Sequence, residues 1–254
     1  MKIYAMTDVG TVRAENQDCF LSAVLSPPPR EDERRGRAES AVLAAVLDGM
    51  GGARGGEVAS HMAADAFLDD ITRASRRTAK GALKHATAAA NSAVFACAER
   101  EEHLKGMGTT LAAVLAYDET IALAHVGDSR IYLYHAGSML RLTRDHSYVQ
   151  ELIDAGRLAE EEARHSRHKN LITRAVGTRA SVEADVALSY WEEGDKLLLC
   201  TDGLVGALRE SEILSILSED VPIERTACEL IDAALQYGCD DNVTVLLIEN
   251  TKEN

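Results

Sequence analysis

The chain has 254 residues, 46% of them hydrophobic, and a formal net charge of −14. That length suits one large domain with a substantial core, so a single domain over 1–254 is expected. The negative charge opposes non-specific binding to nucleic acid or an anionic membrane, whose phosphates it would repel. Five scattered cysteines (Cys19, Cys97, Cys200, Cys228 and Cys239) form no CxxC pair, which argues against a disulfide framework or a zinc ribbon and suits a reducing cytoplasm. The N-terminus lacks the apolar core of a signal peptide, and no apolar stretch approaches the ~20 residues that span a bilayer. A cytoplasmic protein without membrane attachment is expected.

In chain order, "SPPPREDERRGRAES" (26–40) combines prolines with dense mixed charge and reads as an exposed connecting loop. "AVLAAVL" (41–47) then reads as a strand, followed by Ala-rich stretches at 56–74 and 78–104 whose apolar residues recur near helical spacing. Further strands are expected at 109–117, 120–126, 130–135 and 195–201, several too apolar to have a solvated face. Helices are expected near 145–155 and 225–237. "AYDETIAL" and "YHAGSMLRLT" read as hairpins, so much of the sheet should be antiparallel. Strands clustered mid-chain with helices in pairs predict an α+β, layered architecture rather than regular βαβ alternation.

A carboxylate recurs where these apolar runs begin or end. Asp48 closes "AAVLDGMGG", Asp128 follows "ALAHVG" and Asp202 follows "KLLLCT"; Asp240 and Asp241 precede "NVTVLLIE", and Asp18 precedes "CFLSAVL". A single Asp there is ordinary turn chemistry. Five such strand mouths are harder to explain that way, because gathered carboxylates raise each other's pKa unless cations neutralise them. Oxygen ligands with few histidines nearby point to Mg²⁺ or Mn²⁺ rather than zinc.

The glycines of "DGMGGARGGE" read as a flexible loop, one that would let the backbone turn beside an ion and offer it a carbonyl. They do not make a P-loop: Glu57 stands where that loop needs lysine, and Arg54 breaks GxGxxG. Glu57 is expected to open the following helix, at the positive end of its dipole. Several known hydrolase motifs are absent by inspection, since no cysteine has an arginine six residues later and the chain contains no DxDx[TV], GDxHG or HExxH. His146 is expected to cap or pack at a helix start, and His165 and His168 to lie in a solvated loop.

Seven motifs in order, "TDVGTVRAENQD", "LDGMGGARGGEVAS", "GMGTTLAAVL", "AHVGDSRIYLYHAGSMLRLTRDHSYVQELIDAGRL", "NLITRAVGT", "GDKLLLCTDGL" and "DDNVTVLLIE", resemble the bacterial metal-dependent protein phosphatases of type 2C. The resemblance implies a central β-sandwich of two mainly antiparallel sheets flanked by helices on both faces, a four-layer αββα fold. It implies two Mg²⁺ or Mn²⁺ ions bridged by Asp48, with Asp202 and Asp241 completing the first site and the Gly49 carbonyl contributing to the second. Asp18 matches a position that holds metal-bound waters. Asp128, with Asp202, matches residues that can hold a third, weaker ion, and Arg13 matches the arginine that grips the substrate phosphate.

The implied reaction is hydrolysis of phosphoserine and phosphothreonine by a hydroxide shared between ions roughly 4 Å apart, without a phosphoenzyme. Met50 stands where eukaryotic relatives often carry a histidine proposed as general acid, so a metal-bound water is expected to protonate the leaving group. The segment 154–170 matches a mobile flap, and its polarity predicts few core contacts. The implied partners are phosphorylated proteins and an opposing serine/threonine kinase, with the enzyme a monomer. Two other readings fit the same motifs. A phosphoprotein-binding pseudophosphatase would have no need of the full acidic set, and a phosphatase of a partner-switching anti-sigma-factor antagonist would usually carry sensor domains for which this chain has no room.

Overall fold

The computed structural model describes residues 1–31 and 38–251. Its strands are β1 (Lys2–Asp8), β2 (Asp18–Leu25), β3 (Ala41–Met50), β4 (Gly108–Thr109), β5 (Leu111–Ala116), β6 (Thr120–Val126), β7 (Arg130–His135), β8 (Ser138–Arg141), β9 (Asp185–Tyr190), β10 (Lys196–Cys200) and β11 (Val243–Glu249). Its helices are α1 (Gly52–Thr72), α2 (Ala79–Arg100), α3 (Tyr148–Asp154), α4 (Glu160–Arg164), α5 (Asp202–Ala207), α6 (Glu210–Leu217) and α7 (Ile223–Gln236).

Alternation along the central strands sets the layers. In β3, Leu43, Ala45 and Leu47 pack with Phe67, Leu83 and Ala86 of α1 and α2, whereas Ala44 and Val46 join a second cluster with Leu197, Leu199, Leu246 and Ile248 of the other sheet. In β11, Val245 and Leu247 meet Leu230 and Ile231 of α7, while Leu246 and Ile248 point back between the sheets. Apolar residues on both faces give the continuous runs seen in the sequence. One sheet has the order β1-β11-β10-β7-β8 and the other β2-β3-β5-β6-β9, with β4 pairing β3. Every pairing between these strands is antiparallel. The result is the expected αββα order of layers.

Both expected hairpins form. Tyr117 N–H donates to the Thr120 carbonyl (2.8 Å) in the β5–β6 turn. In the β7–β8 turn Ala136 (φ 46°) and Gly137 (φ 81°) both have the positive φ that a type I′ turn demands.

Two expectations about loops need correction. The glycine-rich segment after Asp48 is not a flexible loop, because Gly49 lies inside β3 and α1 already begins at Gly52. Close packing explains these glycines: a Cβ on Gly49 would stand 2.1 Å from the Gly56 carbonyl oxygen, and one on Gly56 would stand 2.4 Å from Gln17 Oε1. Glu57 consequently lies past the first turn of α1, exposed, rather than at the helix start. The 26–40 segment is not exposed throughout: Pro28 and Pro29 are buried, and Tyr117 Oη donates to the Pro29 carbonyl (2.9 Å). Residues 32–37 of that segment lie outside the described residues.

Candidate metal centre

Strand register brings the first two carboxylates together. Asp18 is the direct cross-strand partner of Asp48, in step with Phe20 opposite Val46 and Ser22 opposite Ala44. Period-two alternation therefore puts both on the face turned toward the other sheet, at one end of the sandwich. Like charges directly opposite are destabilising, so this register is costly without a cation. Asp202, after β10, and Asp241, before β11, reach the same end from the facing sheet, and Asp128 lies in the turn by which β6 of one sheet connects to β7 of the other.

Each backbone at this mouth is fixed locally. Asp48 N–H donates to Thr110 Oγ1 (2.8 Å), and its carbonyl accepts from Thr110 N–H (2.9 Å) and Thr109 Oγ1 (2.9 Å). Two histidines brace the turn of Asp128. Gly127 N–H donates to His146 Nδ1 (3.0 Å), and His125 Nε2 donates to the Ser129 carbonyl (2.8 Å). His146 is thus the packing residue expected, and burial followed by the neighbouring His146 pushes His125 down to about 4. Asn242 pins the loop of Arg13, accepting from Gln17 N–H (2.9 Å) and donating to the carbonyls of Val9 (2.9 Å) and Glu15 (3.0 Å).

The electrostatics are those of crowded, dry carboxylates. Burial lifts Asp48 well above the usual range, and the charges of Asp202, Asp18, Asp128 and Asp241 lift it further. Burial also raises Asp128, again with Asp202. Asp18 is pushed up to about 7 by burial, against hydrogen bonds from Thr244 and Thr201 that pull it down. Burial and the charge of Asp241 push Asp202 up to about 6, opposed by a hydrogen bond with Asp48 and the charges of Lys169 and Arg13. Two carboxylates keep such a contact only by sharing a proton or a cation.

Whether divalent ions fit can be judged from the orphaned atoms. Asp18 Oδ1, Asp128 Oδ1 and Asp202 Oδ1 are buried without a hydrogen-bond partner among the described residues. Buried acceptors of this kind are normally satisfied, and oxygen-only acceptors on acidic side chains suit hard cations. No three of the described His, Cys, Asp or Glu side chains form a ready cage. An open set of carboxylates agrees better with Mg²⁺ or Mn²⁺ retaining several waters than with a closed structural site.

The structure brings Asp18, Asp48, Asp128, Asp202 and Arg13 into one electrostatic neighbourhood with Asp241. Arg13 Nη2 pairs with Asp241 Oδ2 at 2.7 Å, and Asp48 and Asp202 also raise its pKa. Asp240 is exposed at the rim. His165 and His168 are exposed, as expected, and His168 packs edge-on against Tyr148 (5.7 Å). A cavity of about 540 Å³ extends from Asp128, Asp202 and Asp241 to Glu160, Arg164 and Lys169 of the flap.

The flap contributes no residue to the three core clusters, as its polarity predicted, yet it is anchored. It carries α4, buries Ala163, and is tied down by Arg164, which donates to the carbonyls of Val205 (3.1 Å), Gly206 (3.4 Å) and Leu208 (3.3 Å). Its polarity hid this docking, because the bonds run to backbone carbonyls that sequence does not reveal. Thr201, Thr244 and Asn242 were also missed as functional candidates. The available signal was polar residues set in or beside strands that are otherwise apolar.

Fold and site together define a hydrolase centre built for divalent ions between two sheets, and comparison with known proteins agrees. Residues 27–242 match the family described as protein phosphatase 2C. A putative protein phosphatase 2C-type of Streptococcus pyogenes is 36% identical over 259 aligned positions, covering 100% of this chain and 99% of that protein. The serine/threonine phosphatase stp of Listeria innocua is 38% identical over 208, covering 80% of this chain and 82% of its own. The crystal structure of the serine/threonine phosphatase PstP of Mycobacterium tuberculosis superposes with a TM-score of 0.86 at 35% identity, covering 99% of both chains. A structure of the PstP catalytic domain in complex with two manganese ions gives 0.83 at 35% identity, covering 99% of this chain and 98% of that one. The chain belongs to the protein phosphatase 2C family, and its class is that of the metal-dependent serine/threonine phosphatases. Among the described residues no helix is long and apolar enough to cross a membrane.

Proposed function

We propose that this chain hydrolyses phosphoserine and phosphothreonine in phosphorylated proteins, acting as a monomer that opposes a serine/threonine kinase in the cytoplasm. The observation that carries the reading is the convergence of acidic side chains from both sheets, with three carboxylate oxygens buried and unpartnered. Asp48, Asp202 and Asp241 would hold the first of two Mg²⁺ or Mn²⁺ ions. Asp48 and the Gly49 carbonyl would serve the second, and Asp128 with Asp202 a third, weaker one. When bound, such ions polarise the phosphoryl oxygens and lower the pKa of water enough to supply a nucleophile at neutral pH.

The protein's own groups then act on the substrate. Arg13, half-exposed beside Asp241, is placed to exchange part of its ion pair for the phosphate, where its planar fork suits two oxygens at once. Asp18, with one oxygen buried and without a partner among the described residues, would hold water bound to the ions. Low dielectric around Asp48 and Asp202 strengthens each of these contacts. Met50, with no acidic proton, cannot protonate the leaving alkoxide, which leaves that proton to water. The flap, forming one wall of the cavity, influences substrate choice and metal exchange.

The direct test is phosphate release from a phosphothreonine peptide with Mn²⁺, with chelator, and with Asp202→Asn. Release that requires Mn²⁺ and collapses in the variant is expected. Folded, Mn²⁺-binding protein that releases nothing from several phosphopeptides would overturn the reading.

A further inference from the structure

Asp18 is held by a group of hydroxyls that belongs to the opposite sheet. Its Oδ2 accepts from Thr201 Oγ1 (2.8 Å) and Thr244 Oγ1 (2.7 Å), both fully buried, while Oδ1 is buried with no partner among the described residues. The remaining atoms of the group fix the direction of every proton. Thr201 Oγ1 accepts from Thr244 N–H (2.9 Å), so its own proton is free for Asp18. Thr244 Oγ1 lies 2.7 Å from Thr7 Oγ1, which accepts from Asn16 Nδ2 (2.9 Å).

A hydroxyl has one proton to give, and an ionised carboxylate can only accept. Thr244 must therefore donate to Asp18 and receive from Thr7, making a directed chain from Asn16 through Thr7 and Thr244 to Asp18. Chains of this kind polarise along their length. The arrangement occupies one oxygen of Asp18 and leaves the other bare. It also locks the β2 carboxylate to β11 and to the residue preceding Asp202, so the two halves of the acidic cluster keep a fixed spacing.

We propose that Thr201 and Thr244 are positioning residues for divalent-ion binding, their hydroxyls orienting Asp18 so that a single oxygen faces an ion or its coordinated water, with Thr7 reinforcing Thr244. This rests on the metal-dependent reading above, although it concerns residues that touch neither substrate nor reacting atoms. Isosteric loss of one hydroxyl would leave Oδ2 with a single donor and Asp18 less firmly oriented.

The test uses the whole chain stripped of metal and titrated with Mn²⁺ alone, with free Mn²⁺ followed by electron paramagnetic resonance. The variants are Thr244→Val, Thr244→Ser, Thr201→Val and Thr7→Val, each checked for folding by circular dichroism. Thr244→Val should bind Mn²⁺ ~10–100-fold more weakly, the usual range for groups that support a ligand. Thr244→Ser should return close to wild type, and Thr7→Val should lose less than Thr244→Val. In phosphatase assays the Mn²⁺ concentration for half-maximal rate should rise while kcat at saturating Mn²⁺ changes little.

If Thr244→Val does not fold, Thr201→Val carries the same expectation. Folded valine variants with wild-type Mn²⁺ affinity would overturn the positioning role, as would Thr244→Ser binding as weakly as Thr244→Val. Wild-type protein that takes up no Mn²⁺ would overturn the phosphatase reading itself, which separates the two failures.

Discussion

Two residues apart on the same face of β3, Val46 and Asp48 obey opposite rules. Val46 lies fully buried in the dry layer between the sheets with Leu199, Leu246 and Ile248, where burial is favourable and needs no partner. Asp48, at the mouth of the same layer, is half-buried, and there burial works against its charge and the surrounding carboxylates add to the penalty. The middle of the sandwich holds the fold together. Its mouth is a place where the fold tolerates instability that a cation can relieve, which is a common relation between stability and function.

Substitutions should separate the two regions most sharply. Asp48→Asn at the mouth should cut phosphate release ~10³-fold or more, since several kcal/mol of charge stabilisation by the ions would go and each ~1.4 kcal/mol is a decade in rate. The same variant, free of metal, should melt no lower than wild type, because it removes a crowded charge. A clear drop in melting temperature without metal would contradict that account. In the middle, Leu246→Ala should cost ~2–5 kcal/mol by denaturant unfolding through the cavity it leaves. The Mn²⁺ affinity of the folded fraction should be unchanged. If it weakened in parallel, the two regions would not be separable.

The pH dependence of stability should differ with and without metal. Asp18 (about 7) and Asp202 (about 6) are raised above the ordinary carboxylate value, so between about pH 4 and 7 the folded chain holds more protons than the unfolded one. Stability of the metal-free protein should therefore fall as pH rises through that window. His125, lowered to about 4, acts in the other direction, its contribution present above its unfolded pKa and lost as pH falls toward 4. The carboxylates outnumber it. Melting temperatures in chelator should decline from pH 5.5 to 7.5, and saturating Mn²⁺ should flatten the decline; a flat profile in chelator would show that these carboxylates are not crowded in the free protein.

The smallest effect lies far from the mouth. Ala136 has φ 46° in the β7–β8 turn, whose strands run away from the Asp128 end. Ala136→Gly should stabilise by about 0.5–1 kcal/mol, because glycine adopts positive φ without the steric cost that a Cβ adds. Phosphatase activity should be unaffected, and a measurable change in kcat would mean that this end of the sandwich communicates with the mouth.

Much of this was legible in the sequence. Unbroken apolar runs such as "KLLLC" announced strands covered on both faces, and the recurrence of Asp at their ends marked the mouth, because turn chemistry alone does not explain five of them. The Ala-rich stretches announced α1 and α2. The glycine-rich segment misled, since glycine reads as a loop when considered locally, whereas here it permits the helix start to touch the backbone of β3 and the side chain of Gln17. The short helices α4 and α5 carry too few residues for periodicity to declare them, and the edge strand β9 is too exposed to show an apolar run.

What the sequence determined alone is most of the longer elements and the list of carboxylates, since periodicity and residue type are local properties of the chain. What only the tertiary structure decided is who faces whom. The register that sets Asp18 opposite Asp48, the Thr201 and Thr244 hydroxyls closing on Asp18 from the other sheet, and Arg164 fastening the flap all join residues distant in sequence. Such contacts depend on how two sheets stack, and no local pattern encodes that.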